Sequence, residues 1–196
     1  MAGPDMSERI FLSASIPDPR RDPRFIGTAD VTAIRDAVRA LATVVLPEHL
    51  LVWGGHPAIT PMVRLIADSL GVRVQDHVWL YQSEFFRNVA PQDNKAFAHI
   101  EWAPEIDGDR EKSLEEMRRR MLGGRFKAGV FIGGMEGVLQ EFELFEKLQP
   151  EAPAYPIAST GAAARFLYER DPEKYPRVLV DEYAYVSMFR KLLDLS

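Results

Sequence analysis

Short apolar runs alternate with longer amphipathic stretches along most of the chain. Residues 9–15 (RIFLSAS) carry Ile10, Phe11 and Leu12 together and end in small hydroxyl residues, which reads as a buried strand. Asp30 then stands where a helix cap belongs, ahead of Val31, Ile34, Val38, Leu41 and Val45 on one face and Arg35, Asp36 and Arg39 elsewhere. Residues 49–53 (HLLVW) form a second run, stopped by Gly54 and Gly55. Thr60 reads as a cap and Pro61 as a first-turn residue of a helix that buries Met62, Leu65, Ile66 and Leu70 and stops at Gly71. Residues 77–81 and 96–102 are a third and a fourth strand. Ser113 and Glu116 have the spacing of a capping box for a helix with Leu114, Met117 and Met121 on one side, whose solvent face would hold the run 118–120.

The central stretch is KAGVFIGGMEGVLQEFELFE, residues 127–146. Residues 128–132 are a buried strand, Gly133 and Gly134 break it, and Gly137 opens a helix with Val138, Leu139, Phe142 and Phe145 at helical spacing. A sixth strand, 154–158, contains Pro156, which confines it to an edge or makes it irregular. Ser159, Thr160 and Gly161 lead from it into another helix, and a terminal helix follows Asp181. Alternation of strand and helix over 196 residues predicts one α/β domain spanning the chain, a doubly wound and mainly parallel sheet flanked by helices.

Four strand ends carry small residues: Ser13 to Ser15, the pair Gly54 and Gly55, the pair Gly133 and Gly134, and Ser159 to Gly161. In an open parallel sheet the carboxyl ends of the strands border the crevice that receives ligands. Ser13, Ser15, Gly54, Gly55, His56, Gly133, Gly134, Met135, Gly137, Ser159, Thr160 and Gly161 are therefore the candidate ligand contacts. Glycines there let a ligand approach the backbone and permit positive φ angles. Glu136 and Glu141 flank the central turn with carboxylates, which repel phosphate but accept hydrogen bonds from ribose hydroxyls. The serine-threonine-glycine turn is the best phosphate site by sequence, with hydroxyls and helix-start N–H groups together; an ordinary helix cap explains the same residues. Ser13 and Ser15 are either donors or the start of a loop, and His56 is either a ligand contact or an ordinary loop residue. Aromatics at 85 and 86 could stack on a base or pack in the core. Arg20, Arg21 and Arg24, in the proline-rich loop 17–25, read as solvated, with a phosphate clamp as the other reading.

Charge and composition narrow the classes. Lys plus Arg number 24 and Asp plus Glu 29, a net charge of −5 with no basic stripe, which argues against nucleic acid or an anionic membrane as partner. No apolar run approaches the roughly 18 residues of a membrane span, and the first ten residues lack the layout of a secretory signal, so a cytoplasmic protein is expected. The absence of cysteine excludes thiol catalysis, disulfides and cysteine-ligated zinc. The scattered histidines lack the spacing of a zinc site, and no cofactor is implied. A P-loop, a G-x-G-x-x-G fingerprint and a G-x-S-x-G elbow are all missing.

Residues 133–141, GGMEGVLQE, resemble the P-G-G-x-G-T-x-x-E loop of the lysine-decarboxylase-like LOG proteins. With FLSAS near the start, VWGGHP at 52–57 and STG late, the layout resembles the SLOG superfamily of LOG-like and DprA-like Rossmann-like domains, and is most similar to small SLOG domains of prokaryotic conflict systems. The resemblance implies a nucleotide or nucleotide-derived ligand at the glycine loops and, in the LOG branch, hydrolysis of the N-glycosidic bond of nucleoside monophosphates. Gly133, Gly134 and Gly137 match the loop and Glu141 its last acid. Ile132 replaces the proline, one extra residue precedes Gly137, Val138 replaces the threonine, and the branch's catalytic arginine motif has no clear counterpart.

Two functions follow. One is a sensor that binds a nucleotide or NAD-derived molecule and signals to an effector protein. The other is an N-glycosidic hydrolase or transferase in which Glu141 or Glu136 stabilises an oxocarbenium-like centre or activates water. A scaffold without a small-molecule ligand is a third. Tyr185, Val186, Phe189, Leu192 and Leu193 give the terminal helix an apolar face, which either pairs two copies in a homodimer or packs on the protein's own core.

Overall fold

The six apolar runs assemble into one parallel sheet. A computed structural model describes residues 8–71, 76–90, 94 and 97–195; the expected beginning of the fourth strand at Ala96, and most of the amino-terminal segment read for a signal, lie outside them. The strands are β1 (Arg9–Ser15), β2 (Leu50–Trp53), β3 (Val78–Ser83), β4 (His99–Ala103), β5 (Ala128–Gly133) and β6 (Ala154–Ile157). Their spatial order is β4-β3-β2-β1-β5-β6, and every pairing is parallel. The fold is thus the expected Rossmann-like α/β architecture. Strands covered on both faces need no polar alternation, which is why they appear as plain apolar runs. Pro156 is tolerated because β6 is an edge.

The helices are α1 (Val31–Val45), α2 (Thr60–Leu70), α3 (Arg110–Met121), α4 (Glu136–Leu148), α5 (Ala162–Arg170), the short α6 (Val178–Asp181) and α7 (Tyr185–Leu192). Successive crossovers through α1 and α2 step toward β4, whereas the crossover through α4 steps the other way, toward β6. Right-handed connections that step in opposite directions lie on opposite faces. The direction changes between β1 and β5, where the chain leaves one strand for α1 and the other for α4. On the α4 face Phe11 stacks on Phe145 at a ring separation of 5.6 Å, and Phe131 meets Phe11, Phe142 and Phe145 edge-on. This aromatic layer fixes α4 over β1 and β5 and so sets the position of its amino-terminal turn.

Asp30 caps α1 as its position suggests, accepting from the Ala33 N–H at 2.9 Å. Replacing it with alanine is expected to cost about 1 kcal/mol, read from urea denaturation; an unchanged midpoint would show that the cap contributes nothing. Two other caps differ from expectation. Asp109, not Ser113, caps α3, accepting from the Lys112 N–H at 3.0 Å, while Ser113 is buried one turn inside and donates to the Asp109 carbonyl. Thr60 begins α2 without capping it, because its hydroxyl donates back to the His56 carbonyl at 3.0 Å. The terminal helix α7 packs on α1 with Tyr185, Phe189 and Leu193 buried, leaving Val186 exposed. Among the described residues no helix is long and apolar enough to cross a membrane.

Candidate functional site

A cavity of about 450 Å³ opens at the carboxyl ends of β1, β2 and β3, beneath α3 and the first turn of α4. It borders the point where the winding direction changes, the place where open α/β sheets receive ligands, and its volume is that of a small-molecule site. Ser13, Ser15, Gly54, Gly55, His56, Met135, Glu136, Gly137 and Glu141 all line it. Parallel register explains the gathering: Ser13 pairs with Phe131 and Ser15 with Gly133, so the end of β1 lies beside the turn that starts α4.

Gly133 and Gly134 do not line the cavity. Both take positive φ, 56° and 88°, and the space a side chain would need is already occupied by the chain itself. A Cβ on Gly133 would lie 2.5 Å from Ile34 Cδ1, and one on Gly134 would lie 2.2 Å from Val138 Cγ2. They turn the chain from β5 into α4 rather than clearing room for a ligand. Ser159, Thr160 and Gly161 are not brought to the cavity either. The Ser159 hydroxyl lies 3.1 Å from that of Tyr185, whose phenol burial pushes up to about 12. Thr160 Oγ1 accepts from the Gly133 N–H at 2.9 Å and donates to the Ile157 carbonyl. The first two N–H groups of α5 are occupied: Ala162 donates to Thr28 Oγ1 at 2.9 Å and Ala163 to the Gly134 carbonyl at 3.2 Å. The turn serves to join β6, α5 and the loop before α1.

The cavity's chemistry centres on Glu141. Ser13, 1% exposed, donates to Glu141 Oε2 at 2.6 Å. Arg118 Nε of α3 lies 3.5 Å from Oε1, with the two charged side chains only 12% and 16% exposed. Burial pushes the Glu141 carboxyl above its ordinary range, and Arg118 and Ser13 oppose that shift. Each carboxylate oxygen retains acceptor capacity beyond these partners, so hydroxyls of a ligand can still be bound. Glu136 differs, being exposed and 3.7 Å from Arg24. No side chain caps α4, whose first-turn residues Glu136 and Gly137 border the cavity, so its dipole adds positive potential there. Phe86, Val89, Leu114 and Met117 supply an apolar wall. Gln82 also lines the cavity, but its amide donates to the Gly54 and Tyr81 carbonyls and accepts from buried Asn94, so it secures the Gly54 turn.

Arg118 is the side chain of the run 118–120 that reaches the cavity. Arg119 and Arg120 pair with Glu115 and Glu116 on the solvent face, whereas Arg118 turns inward. Its signal is spacing: four residues after Leu114 and three before Met121, it belongs to the inward stripe of α3. Among the described residues no group of three or more His, Asp or Glu side chains is arranged to hold a metal ion.

The parallel sheet, with a cavity at the reversal of winding, defines a Rossmann-like α/β domain. The profile of the SLOG cluster3 family matches residues 24–193, and the chain belongs to that family. No curated protein and no solved structure matches it.

Proposed function

We propose that the crevice binds a nucleotide or NAD-derived small molecule and that the protein acts as its sensor, passing the bound state to a partner protein. The observation that carries this reading is the two-sided cavity, with an apolar wall at Phe86, Leu114 and Met117 and the Glu141 carboxylate, held by Ser13 and Arg118, facing it. A flat base suits the wall, and ribose hydroxyls suit the carboxylate. Membership of the SLOG family supports the same class of ligand.

The N-glycosidic hydrolase or transferase is the second reading, and one observation favours it. An arginine does stand beside Glu141, although the sequence offered no counterpart to the LOG branch's catalytic arginine motif. In that role Glu141 would stabilise positive charge developing at the anomeric carbon or activate water, and Arg118 would hold its carboxylate in place.

Thermal shift and calorimetry with the common nucleoside 5′-monophosphates and NAD test the reading, with base release followed in parallel. Ligand at 100 times its Kd should stabilise the fold by about 2.7 kcal/mol. Glu141→Gln should weaken binding modestly if the protein is a sensor, since the amide oxygen still accepts. As an enzyme, the same variant should keep its affinity and lose nearly all base release. A flat response to every compound would overturn both readings.

A further inference from the structure

The loop between β1 and α1 contains the triplet DPR twice, at 18–20 and 22–24, with Arg21 between them. In each triplet the aspartate folds onto its own arginine. Asp18 accepts from the Arg20 backbone N–H at 2.9 Å and from its guanidinium at 3.1 and 3.2 Å. Asp22 does the same with Arg24, at 3.0 Å from the backbone and 2.6 Å from Nη2. These bonds hold both carboxyls below their usual range. Arg21 has Pro19 two residues before it, and takes no carboxylate partner among the described residues. It is also the one arginine of the three that lines the crevice.

His56, from the loop after the neighbouring strand β2, lines the same cavity. Its Nδ1 accepts from the Ala58 N–H at 3.2 Å, which leaves the ring proton on Nε2. Burial, and then the nearby charge of Arg21, push its pKa below the ordinary value, so the ring is a neutral donor at pH 7. The other arginines at the cavity are committed, Arg118 to Glu141 and Arg110 to Glu111.

We propose that Arg21 and His56 form an anion clamp that receives the phosphate of the ligand, taking the place of the sealed turn at 159–161. This rests on the nucleotide reading above and adds to it where the charged end of the ligand lies. A guanidinium offers a planar pair of N–H donors matched to two phosphate oxygens, and the imidazole adds a donor from the adjacent loop. The aspartates on either side of Arg21, of which Asp22 also lines the cavity, are each hydrogen-bonded to their own arginine, and Arg21 acts on Asp18 only as a nearby charge.

Calorimetry on the full chain with nucleoside 5′-monophosphates, the matching nucleosides and inorganic phosphate tests the clamp. Arg21→Ala should weaken monophosphate binding by about tenfold or more, while nucleoside binding changes by less than about twofold. Arg20→Ala, removing a guanidinium already held by Asp18, should leave both within about twofold. Arg21 is exposed, so equal melting temperatures will confirm that the variants fold. If Arg21→Ala binds monophosphates as tightly as the parent, the clamp is wrong and the nucleotide reading stands. Phosphate binding that depends on Arg21, without any nucleotide binding, would uphold the clamp and remove the nucleotide reading. Binding of neither phosphate nor nucleotide by the parent would overturn both.

Discussion

Gly161→Ala is expected to destabilise the protein by about 3–5 kcal/mol, lowering the melting temperature by about 10 °C or more. Gly161 has φ 71° and ψ −159°, a combination that side chains other than hydrogen resist. A Cβ there would lie 1.7 Å from the Thr28 carbonyl oxygen and 2.5 Å from its carbon. Both atoms are backbone and cannot swing aside as a side chain would. The Thr28 segment is itself fixed, since the Asp30 N–H donates to the Thr160 carbonyl at 3.2 Å and Thr28 Oγ1 accepts from Ala162. Relieving the clash would separate α5 from the loop before α1 and break both bonds. Urea denaturation gives the value; a loss under about 1 kcal/mol would mean that this loop does not pack against Gly161.

Arg118→Met carries the second large effect, about 2–3 kcal/mol at pH 7, and its pH dependence distinguishes the cause. Removing one partner of a buried ion pair leaves the other charge without compensation, here moderated by the pair's partial exposure. Burial already raises the folded-state pKa of Glu141 above its unfolded value. A carboxyl shifted upward contributes stability below its unfolded pKa, and that contribution is lost as the pH rises through the raised folded pKa. Without Arg118 the upward shift grows, so the cost of the variant should be greatest at neutral pH and shrink toward pH 5. Adding Glu141→Gln should recover most of the loss, because the buried charge is then gone. Equal costs at both pH values with no recovery in the double variant would show that Arg118 does not compensate Glu141.

The sheet was readable because its physics is local and additive. Strands covered on both faces appear as runs without polar residues, such as IFL at 10–12 and AGVFI at 128–132, and the Asp30 cap needs only the three residues after it. The starts of α2 and α3 were less readable. Thr60, Asp109 and Ser113 are all cap-forming types, and only the backbone path shows which oxygen meets an orphan N–H.

By itself, the sequence determined the alternating α/β order, the parallel sheet, the small residues at four strand ends and Glu141 as the acid of the central loop. It also pointed to the strand ends as the place of the candidate site, where a cavity lies, since loop composition and element order depend on neighbours in the chain. Tertiary structure alone decided which strand ends share the cavity. The turn at 159–161 looked like an anion site because its donors were counted without their acceptor, yet Thr28 Oγ1, 134 residues away in sequence, fills the position. Gly133 and Gly134 looked like room for a ligand, yet Ile34 and Val138 stand where their side chains would be. Arg118 looked solvated among three arginines until α3 was laid against α4 and turned that one guanidinium toward Glu141. Except for Val138, four residues after Gly134, the deciding partners are distant in sequence, and a buried donor, acceptor or charge takes whichever partner the packing brings within reach.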